Sequence, residues 1–168
     1  MTDADATDEG AAAEPDADAA DETPAAAPDP TAPQFRVMSA ESVTFDLADP
    51  APLVHLMETE PPYRYLSIPI ALPEAQALEL ALAGRAGRRP GTHELAAALL
   101  ARLRADVVAA RIVRYEAGVY YAELDVMGPS GREVVDCRTS DAIILALRQP
   151  VRAPILCAVR VLEETVGD

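Results

Sequence analysis

The spacing of apolar residues changes twice along this chain, and this limits the available folds more than any other feature. Up to about residue 71, apolar and polar side chains alternate loosely, which is typical of strands. The stretches that carry this pattern read FRVMSAESVTFDL, LVHLMETE and YRYLSIPI. From Leu72 the apolar residues recur every three or four positions, which predicts helices, and after about residue 105 the strand pattern returns. The order therefore predicts strands, helices and strands again within one domain.

Two helices are predicted in the middle of the chain. The first, in LPEAQALELALAG, has Pro73 where a helix tolerates proline and Glu74 in its first turn, and Gly84 and Gly87 follow its end. Its buried face is predicted to hold Ala75, Leu78 and Leu82. The second, in THELAAALLARLRA, is predicted to begin with Thr92 as its N-cap. Its core-facing stripe is predicted to be Leu95, Leu99 and Leu103.

The last third of the chain returns to strands and adds a third helix. Residues 106–138 predict three strands joined by turns at EAG and MGPSG. The buried set of the middle strand is predicted to be Tyr120, Ala122, Leu124 and Val126. TSDAIILALRQ predicts a helix capped by Thr139 or Ser140, APILCAV a short strand and VLEE a last helical turn. The fold class predicted is α+β, a single domain over residues 34–168 with mostly antiparallel strands and three main helices.

The first 33 residues differ in composition from the rest of the chain. Residues 1–34 contain ten Asp or Glu and no Lys or Arg, whereas residues 35–168 contain 18 acidic and 14 basic residues. Such an acidic, Ala- and Pro-rich segment buries too little apolar area to offset its chain entropy, so residues 1–33 are predicted to be a disordered tail. The formal charge of −14 is therefore mostly a property of the tail.

Composition also excludes several classes of protein. The two cysteines, Cys137 and Cys157, have neither the number nor the spacing of a disulfide scaffold or a zinc site. The start of the chain shows no secretory signal pattern, and no apolar run approaches the length of a membrane span. We therefore expect a cytoplasmic protein with reduced thiols and no membrane partner.

The stretch GRRPGTHEL, residues 87–95, is the first candidate site. His93 lies at the predicted start of a helix, beside Thr92 and just after Arg88 and Arg89. Histidine transfers protons near neutral pH, and a helix N-terminus with arginines binds anions. The segment therefore fits a phosphodiester cradle. The alternative is a structural one, in which His93 packs on a neighbouring strand and Thr92 only caps the helix.

A second candidate site is DCRTSDA, residues 136–142, where a strand ends and a helix begins. Asp136, Arg138, Ser140 and Asp141 fall together here, and polar groups at such a junction commonly form sites. Glu74 could join Asp136 and Asp141 in holding a divalent ion, Mg²⁺ or Mn²⁺, because hard cations need clustered oxygens. The alternative is again structural, with Ser140 or Thr139 as a cap, Asp141 and Glu74 serving the helix dipoles, and Asp136 paired with Arg138.

The order of these pieces resembles the bifunctional nuclease domain family. The family pattern R-P-x-T-H-[DE]-L falls on Arg89 to Leu95, and D-A-R-P-S-D-A-I falls on Asp136 to Ile143, with Cys137 and Thr139 where Ala and Pro are usual. An L-P-I stretch before E-A, an F-Y-A strand and a P-I strand are matched by Ile68 to Ile70 with Glu74-Ala75, Tyr120 to Ala122, and Pro154-Ile155. The resemblance covers roughly residues 36–164.

The resemblance implies an oligomeric α+β domain, a homo-oligomer, with nuclease activity on DNA or RNA. Under that hypothesis His93 transfers a proton, and Asp136 with Asp141 or Glu74 binds the ion or orients water. The substrate-binding residues would be Arg89, Thr92, Arg138, Ser140 and Arg148, the last as a second phosphate contact or a partner of its helix dipole. The competing hypothesis is a non-catalytic oligomeric binding or regulatory module for an anionic ligand or a partner protein.

Overall fold

The computed structural model describes residues 34–45 and 51–166. The predicted acidic tail, residues 1–33, lies outside these described residues. The described part forms one α+β domain around a single apolar core, as the alternation of spacing predicted. None of its helices combines the length and hydropathy needed to cross a bilayer.

A seven-stranded sheet runs through the domain in the order β3-β2-β1-β7-β4-β5-β6. Only the pairing of β4 with β7 is parallel, and the other five are antiparallel. Two tight connections, at residues 117–118 and 129–130, join β4 to β5 and β5 to β6, where the EAG and MGPSG turns were predicted. The strands are β1 Phe35–Thr44, β2 Leu53–Glu58, β3 Tyr65–Pro69, β4 Asp106–Glu116, β5 Val119–Gly128, β6 Gly131–Arg138 and β7 Ile155–Ala158.

Three main helices and one short one pack with the sheet. They are α1 Leu72–Leu82, α2 Thr92–Arg102, α3 Thr139–Leu147 and α4 Val159–Thr165. Every residue of α3 except Asp141 is buried, and this helix contacts α1, α2, β4, β5 and β6. Because α3 is central, it brings the starts of α1 and α2 close to the end of β6.

The predicted faces of α1 and β5 are confirmed. Ala75 and Leu78 are fully buried and Leu82 is partly buried, whereas Glu79 is exposed. On β5, Ala122 and Leu124 lie in the core with Tyr120 and Val126 packed against it. The burial of these residues follows from local periodicity alone.

The predicted caps of α2 and α3 are wrong by one or two residues. Gly91 is the N-cap of α2, because the Glu94 carboxylate accepts the Gly91 N–H at 2.7 Å and so satisfies a free donor at the helix start. Arg138 is the N-cap of α3. Thr139 donates its hydroxyl to the Tyr120 carbonyl at 3.0 Å and so ties the helix to β5.

The predicted core stripe of α2 is also wrong. Leu95, Leu99 and Leu103 are 55%, 53% and 68% exposed. The face that packs against the core is instead formed by Ala96, Ala97 and Leu100. This helix carries two adjacent apolar faces, and the one rich in alanine is the one that packs.

Candidate functional site

The two candidate segments meet at the start of α2 and the start of α3. His93 Nε2 lies 2.8 Å from Asp141 Oδ1, although the residues are 48 positions apart in sequence. His93 is at the second position of α2 and Asp141 at the third position of α3, so both side chains extend from first helical turns. The side chains are 15% and 24% exposed, which leaves the pair reachable from solvent. GRRPGTHEL and DCRTSDA therefore contribute to one site.

The Arg138 guanidinium joins this pair to Glu74. Its Nε and Nη2 donate to Asp141 Oδ2 and Oδ1 at 2.8 and 3.0 Å, and its Nη1 donates to Glu74 Oε1 at 2.6 Å. Such a two-pronged contact fixes the plane of the guanidinium. The Arg138 side chain remains 65% exposed. One cation thus holds two carboxylates and still faces solvent.

The protonation of the site follows from these contacts. Burial acts to raise the pKa of Asp141, but hydrogen bonds from Arg138 and His93 hold that pKa below its ordinary value. The hydrogen bond to Asp141 likewise raises the pKa of Arg138. Asp141 is therefore ionised near neutral pH and accepts the proton of His93 Nε2–H. In the neutral form of the imidazole, Nδ1 is then the nitrogen with the free lone pair.

A cleft of about 520 Å³ opens beside the pair. We call it the dyad cleft, after His93 and Asp141 in its wall, and Thr92, Arg138 and Cys137 also line it. The far wall is apolar and comes from the sheet, including Leu124 and Val135. Burial raises the pKa of the Cys137 thiol to about 11, so this cysteine is protonated at neutral pH.

Glu94 and Arg148 hold the loop before α2. Glu94 Oε1 accepts the Gly87 N–H at 3.1 Å and Oε2 accepts the Gly91 N–H at 2.7 Å. These backbone hydrogen bonds, opposed by burial, lower the pKa of Glu94. Arg148 Nη2 lies 3.2 Å from Glu94 Oε1, and its Nη1 donates to the Arg85 carbonyl at 2.6 Å. We call the Glu94–Arg148 pair the loop clamp.

The loop clamp changes the role predicted for Arg148. Its side chain is only 13% exposed, and its Nη2 and Nη1 groups contact Glu94 and a backbone carbonyl. Of the two predicted roles, this geometry does not provide the phosphate contact, whereas the position of Arg148 at the C-cap of α3 is compatible with its role as a helix-dipole partner. The sequence offered one signal for the clamp, which is a glutamate three positions after a glycine at the start of a helix.

The other predicted substrate-binding residues lie around the site. Arg89 is exposed and lines a cavity of about 120 Å³ next to His93, and no ion pair links it to the rest of residues 34–45 and 51–166. Thr92 is exposed at the mouth of the dyad cleft. Ser140 is buried and lines a second cleft on the other side of Arg138.

Asp136 is not part of this cluster. Its partner across the sheet is Glu123, and it lines a different cavity with Arg111 and Tyr121, whereas the next residue, Cys137, lines the dyad cleft. Because neighbouring residues on a strand point to opposite faces, Asp136 lies on the face away from His93. The alternative pairing of Asp136 with Arg138 is also not formed, since Arg138 contacts Glu74 and Asp141.

The residues predicted to hold a divalent ion do not fit one as they are arranged here. Asp136 is on the opposite face, and the Arg138 guanidinium occupies the space between Glu74 and Asp141 that a cation would need. Within the described part of the chain, no three metal-ligating side chains gather around a common point. The requirement for Mg²⁺ or Mn²⁺ stays a prediction.

The residues of this site lie inside the stretch of the chain that matches a protein-family model. The model of the bifunctional nuclease domain matches residues 54–167, which include Glu74, His93, Arg138 and Asp141. Uncharacterized proteins from two strains of Mycobacterium tuberculosis are each 37% identical over 102 residues, which is 60% of this chain. The matched stretch spans 58% of the length of these relatives.

Proposed function

Because the chain belongs to the bifunctional nuclease domain family, we propose that it hydrolyses phosphodiester bonds in DNA, RNA or both. The observation that carries the proposal is the His93–Asp141 pair, set 2.8 Å apart beside a guanidinium that is 65% exposed. Phosphodiester hydrolysis can use both a proton acceptor for the attacking water and a cation for the phosphate oxygens.

In the proposed reaction His93 Nδ1 takes a proton from the attacking water. Asp141 holds the imidazole through Nε2–H and stabilises the imidazolium that forms. The water oxygen bonds to phosphorus, the ester P–O bond to one nucleoside oxygen breaks, and the imidazolium returns the proton to that oxygen. Arg138 carries positive charge to the phosphate oxygens, and the exposed Arg89 supplies a second cation at the mouth of the site.

Nucleic acid is the partner that this proposal requires. The section from Arg85 to Arg114 holds seven arginines against Glu94 and Asp106, and three of the seven, Arg85, Arg88 and Arg89, lie in the loop that leads to His93. A local concentration of arginine favours contact with a phosphate backbone. The cytoplasmic location and the homo-oligomer remain predictions.

The chain contains two histidines, and this permits a matched control. His55 lies on β2 between Thr44 and Ser67, hydrogen-bonded to both at 2.7 and 2.9 Å, and its neighbours Val54 and Leu56 are the ones that face the core. Labelled single-stranded RNA and DNA would be incubated with wild type, His93→Ala and His55→Ala, each with Mg²⁺, with Mn²⁺ and with EDTA. We expect cleavage by wild type and His55→Ala, and none by His93→Ala.

The outcomes separate the two hypotheses. Cleavage that His93→Ala retains would come from a contaminant or from another site and would overturn the proposal. No cleavage by wild type under any condition would favour the non-catalytic binding module. Cleavage that depends on His93 and disappears in EDTA would support the nuclease. It would also mean that a metal ion is required, which the present position of Arg138 does not accommodate.

A further inference from the structure

A second cleft lies on the other side of Arg138 from His93. It has a volume of about 270 Å³ and is lined by residues 68–71 at the end of β3, residues 118–120 at the start of β5, and residues 138–140. Ile68, Pro69, Ile70 and Val119 make most of this wall apolar, so we call it the apolar cleft.

The apolar cleft and the dyad cleft share two side chains, Glu74 and Arg138. The exposed guanidinium therefore lies at the boundary between them. A phosphate held against Arg138 has the proton acceptor, His93, on one side and an apolar depression on the other. In a nucleic acid strand, the group next to a backbone phosphate is a nucleoside with a flat, largely apolar base.

Glu74 provides a second, independent observation that points to a ligand at this position. The residue is only 8% exposed, and its Oε1 accepts from Arg138. Its Oε2 is buried without a hydrogen-bond partner in the described part of the chain. A buried carboxylate oxygen without a donor is costly, and native structures rarely keep one without a reason. Every nucleobase carries an N–H donor on its edge that such an oxygen could accept.

We propose that the apolar cleft binds one unpaired nucleobase of the strand whose phosphate lies against Arg138, with Glu74 Oε2 accepting a base N–H. This rests on the proposed function, because it places the scissile phosphate between the two clefts. The base enters only when it is unstacked and unpaired, so the substrate class is single-stranded nucleic acid or the unpaired regions of a folded one.

The test variant fills the apolar cleft and leaves His93 and Asp141 unchanged. Val119 lines the apolar cleft and is 51% exposed, so Val119→Trp places a large side chain there at a strand position that accepts aromatics. Val134 is equally exposed at 51% and is not among the residues that line the apolar cleft, so Val134→Trp is the matched control. Thermal melts establish that both variants are folded.

Two substrates give the readout. One is a short single strand, and the other is the same strand with a tetrahydrofuran residue in place of the base beside the cleaved bond. We expect Val119→Trp to lower kcat/KM on the intact strand about tenfold or more through KM, and to have little effect on the abasic strand. Val134→Trp should match wild type on both substrates. Equal kcat/KM for wild type and Val119→Trp on the intact strand would overturn the base site while leaving the nuclease in place.

A binding measurement keeps the inference testable if no strand is cleaved. Calorimetric titration with adenosine 5′-monophosphate and with ribose 5-phosphate compares the same phosphate with and without a base. We expect wild type to bind the nucleotide at least tenfold more tightly than the sugar phosphate, and Val119→Trp to lose that difference. Equal affinity of wild type for the two compounds would refute the base site whatever the outcome of the cleavage assay.

Discussion

His93 and Asp141 are 48 residues apart in sequence and 2.8 Å apart in space, and this contact joins two motifs that each had a structural explanation of its own. Asp141 was expected either in a site or as an N-terminal dipole residue, and its position in the first turn of α3 is compatible with both roles. Glu74 is similar, since it lies in the first turn of α1 and also accepts from Arg138. For residues in a first helical turn, the sequence does not separate a structural role at the helix end from a role in a site. The distinction depends on whether a side chain from another element contacts the residue.

Asp141→Asn tests the orientation of His93. The amide can donate its N–H to Nε2, which moves the imidazole proton to Nδ1 and removes the lone pair that the proposed reaction uses. We expect the rate of strand cleavage to fall by about 10²- to 10⁴-fold. Steady-state kinetics on one strand would measure it, beside Asp136→Asn, which alters a carboxylate on the opposite face and should keep activity near that of wild type. A larger loss from Asp136→Asn than from Asp141→Asn would contradict this assignment.

Glu58 is a buried carboxylate that the sequence patterns did not single out. It is fully buried on β2, and it accepts from Arg36 Nε at 3.0 Å and from Arg64 Nη2 at 2.8 Å. The hydrogen bond from Arg64, opposed by burial, lowers its pKa from 4.5 to about 2. Because the folded-state pKa is below the unfolded one, the stabilisation is complete above pH 4.5 and is lost as the pH falls towards 2.

Glu58→Gln should therefore cost stability at neutral pH and little in acid. We expect the free energy of unfolding to fall by about 3 kcal/mol at pH 7, since charged hydrogen bonds are lost. Urea denaturation at pH 7 and again at pH 2.5 would measure the difference, with the exposed Glu79→Gln as the control. A cost that is the same at both pH values would mean that the ion pair is not its source.

The loop and first turn of α2 form the element that presents His93. The backbone of this loop is held by Glu94 at both ends, at Gly87 and Gly91, and Arg148 anchors Glu94 from the C-cap of α3. The face of α2 with Ala96, Ala97 and Leu100 packs against the core, while Leu95 and Leu99 stay exposed. The position of His93 is therefore set by the clamp and by a close helix contact rather than by a leucine stripe.

Glu94→Gln should loosen the loop clamp and move His93 indirectly. The neutral amide retains one acceptor oxygen, so one of the two glycine N–H groups loses its partner. We expect about 1–2 kcal/mol of lost stability and a fall in kcat of about tenfold. Amide exchange at Gly87 and Gly91, followed by NMR, separates the two causes. Slow exchange at both amides together with reduced kcat would argue for a direct role of Glu94 instead.

At the scale of the whole molecule, the sheet and α3 form the frame of the domain, and the site lies near the starts of α1, α2 and α3. The core is one continuous cluster. The apolar residues left outside it include Leu95 and Leu99 of α2 and Leu103 at its C-cap, which lie along one face at helical spacing. An exposed face of this kind is compatible with the predicted homo-oligomer.

The predicted homo-oligomer would be checked by sedimentation velocity. We expect wild type to sediment as a species larger than the monomer, and Leu99→Glu to shift it towards the monomer because a charge on the leucine face opposes burial. Leu99 is 53% exposed, so this change should leave the fold of each subunit intact. A monomeric wild type over the accessible concentration range would contradict the prediction.

The sequence by itself determined the parts of this protein that depend on local periodicity. The spacing of apolar residues predicted the three main helices, the two hairpins and the buried face of β5, because the pitch of a helix and the alternation of a strand act over a few residues. The two polar motifs also identified His93, Arg138 and Asp141 as candidates from residue type alone.

The tertiary structure decided which side chains meet and which faces are covered. In the sequence, Asp136 and Arg148 were site candidates just as His93 and Asp141 were. In the structure, Asp136 lies on the opposite face of β6 because strand residues alternate, and Arg148 is held by Glu94 in the loop clamp. α2 has two apolar faces, and only one of them packs against the core. Which face packs depends on how closely the helix can approach its neighbours. The pairing of His93 with Asp141 requires α2 to pack against α3. These outcomes depend on contacts between residues distant in sequence, which no local pattern encodes.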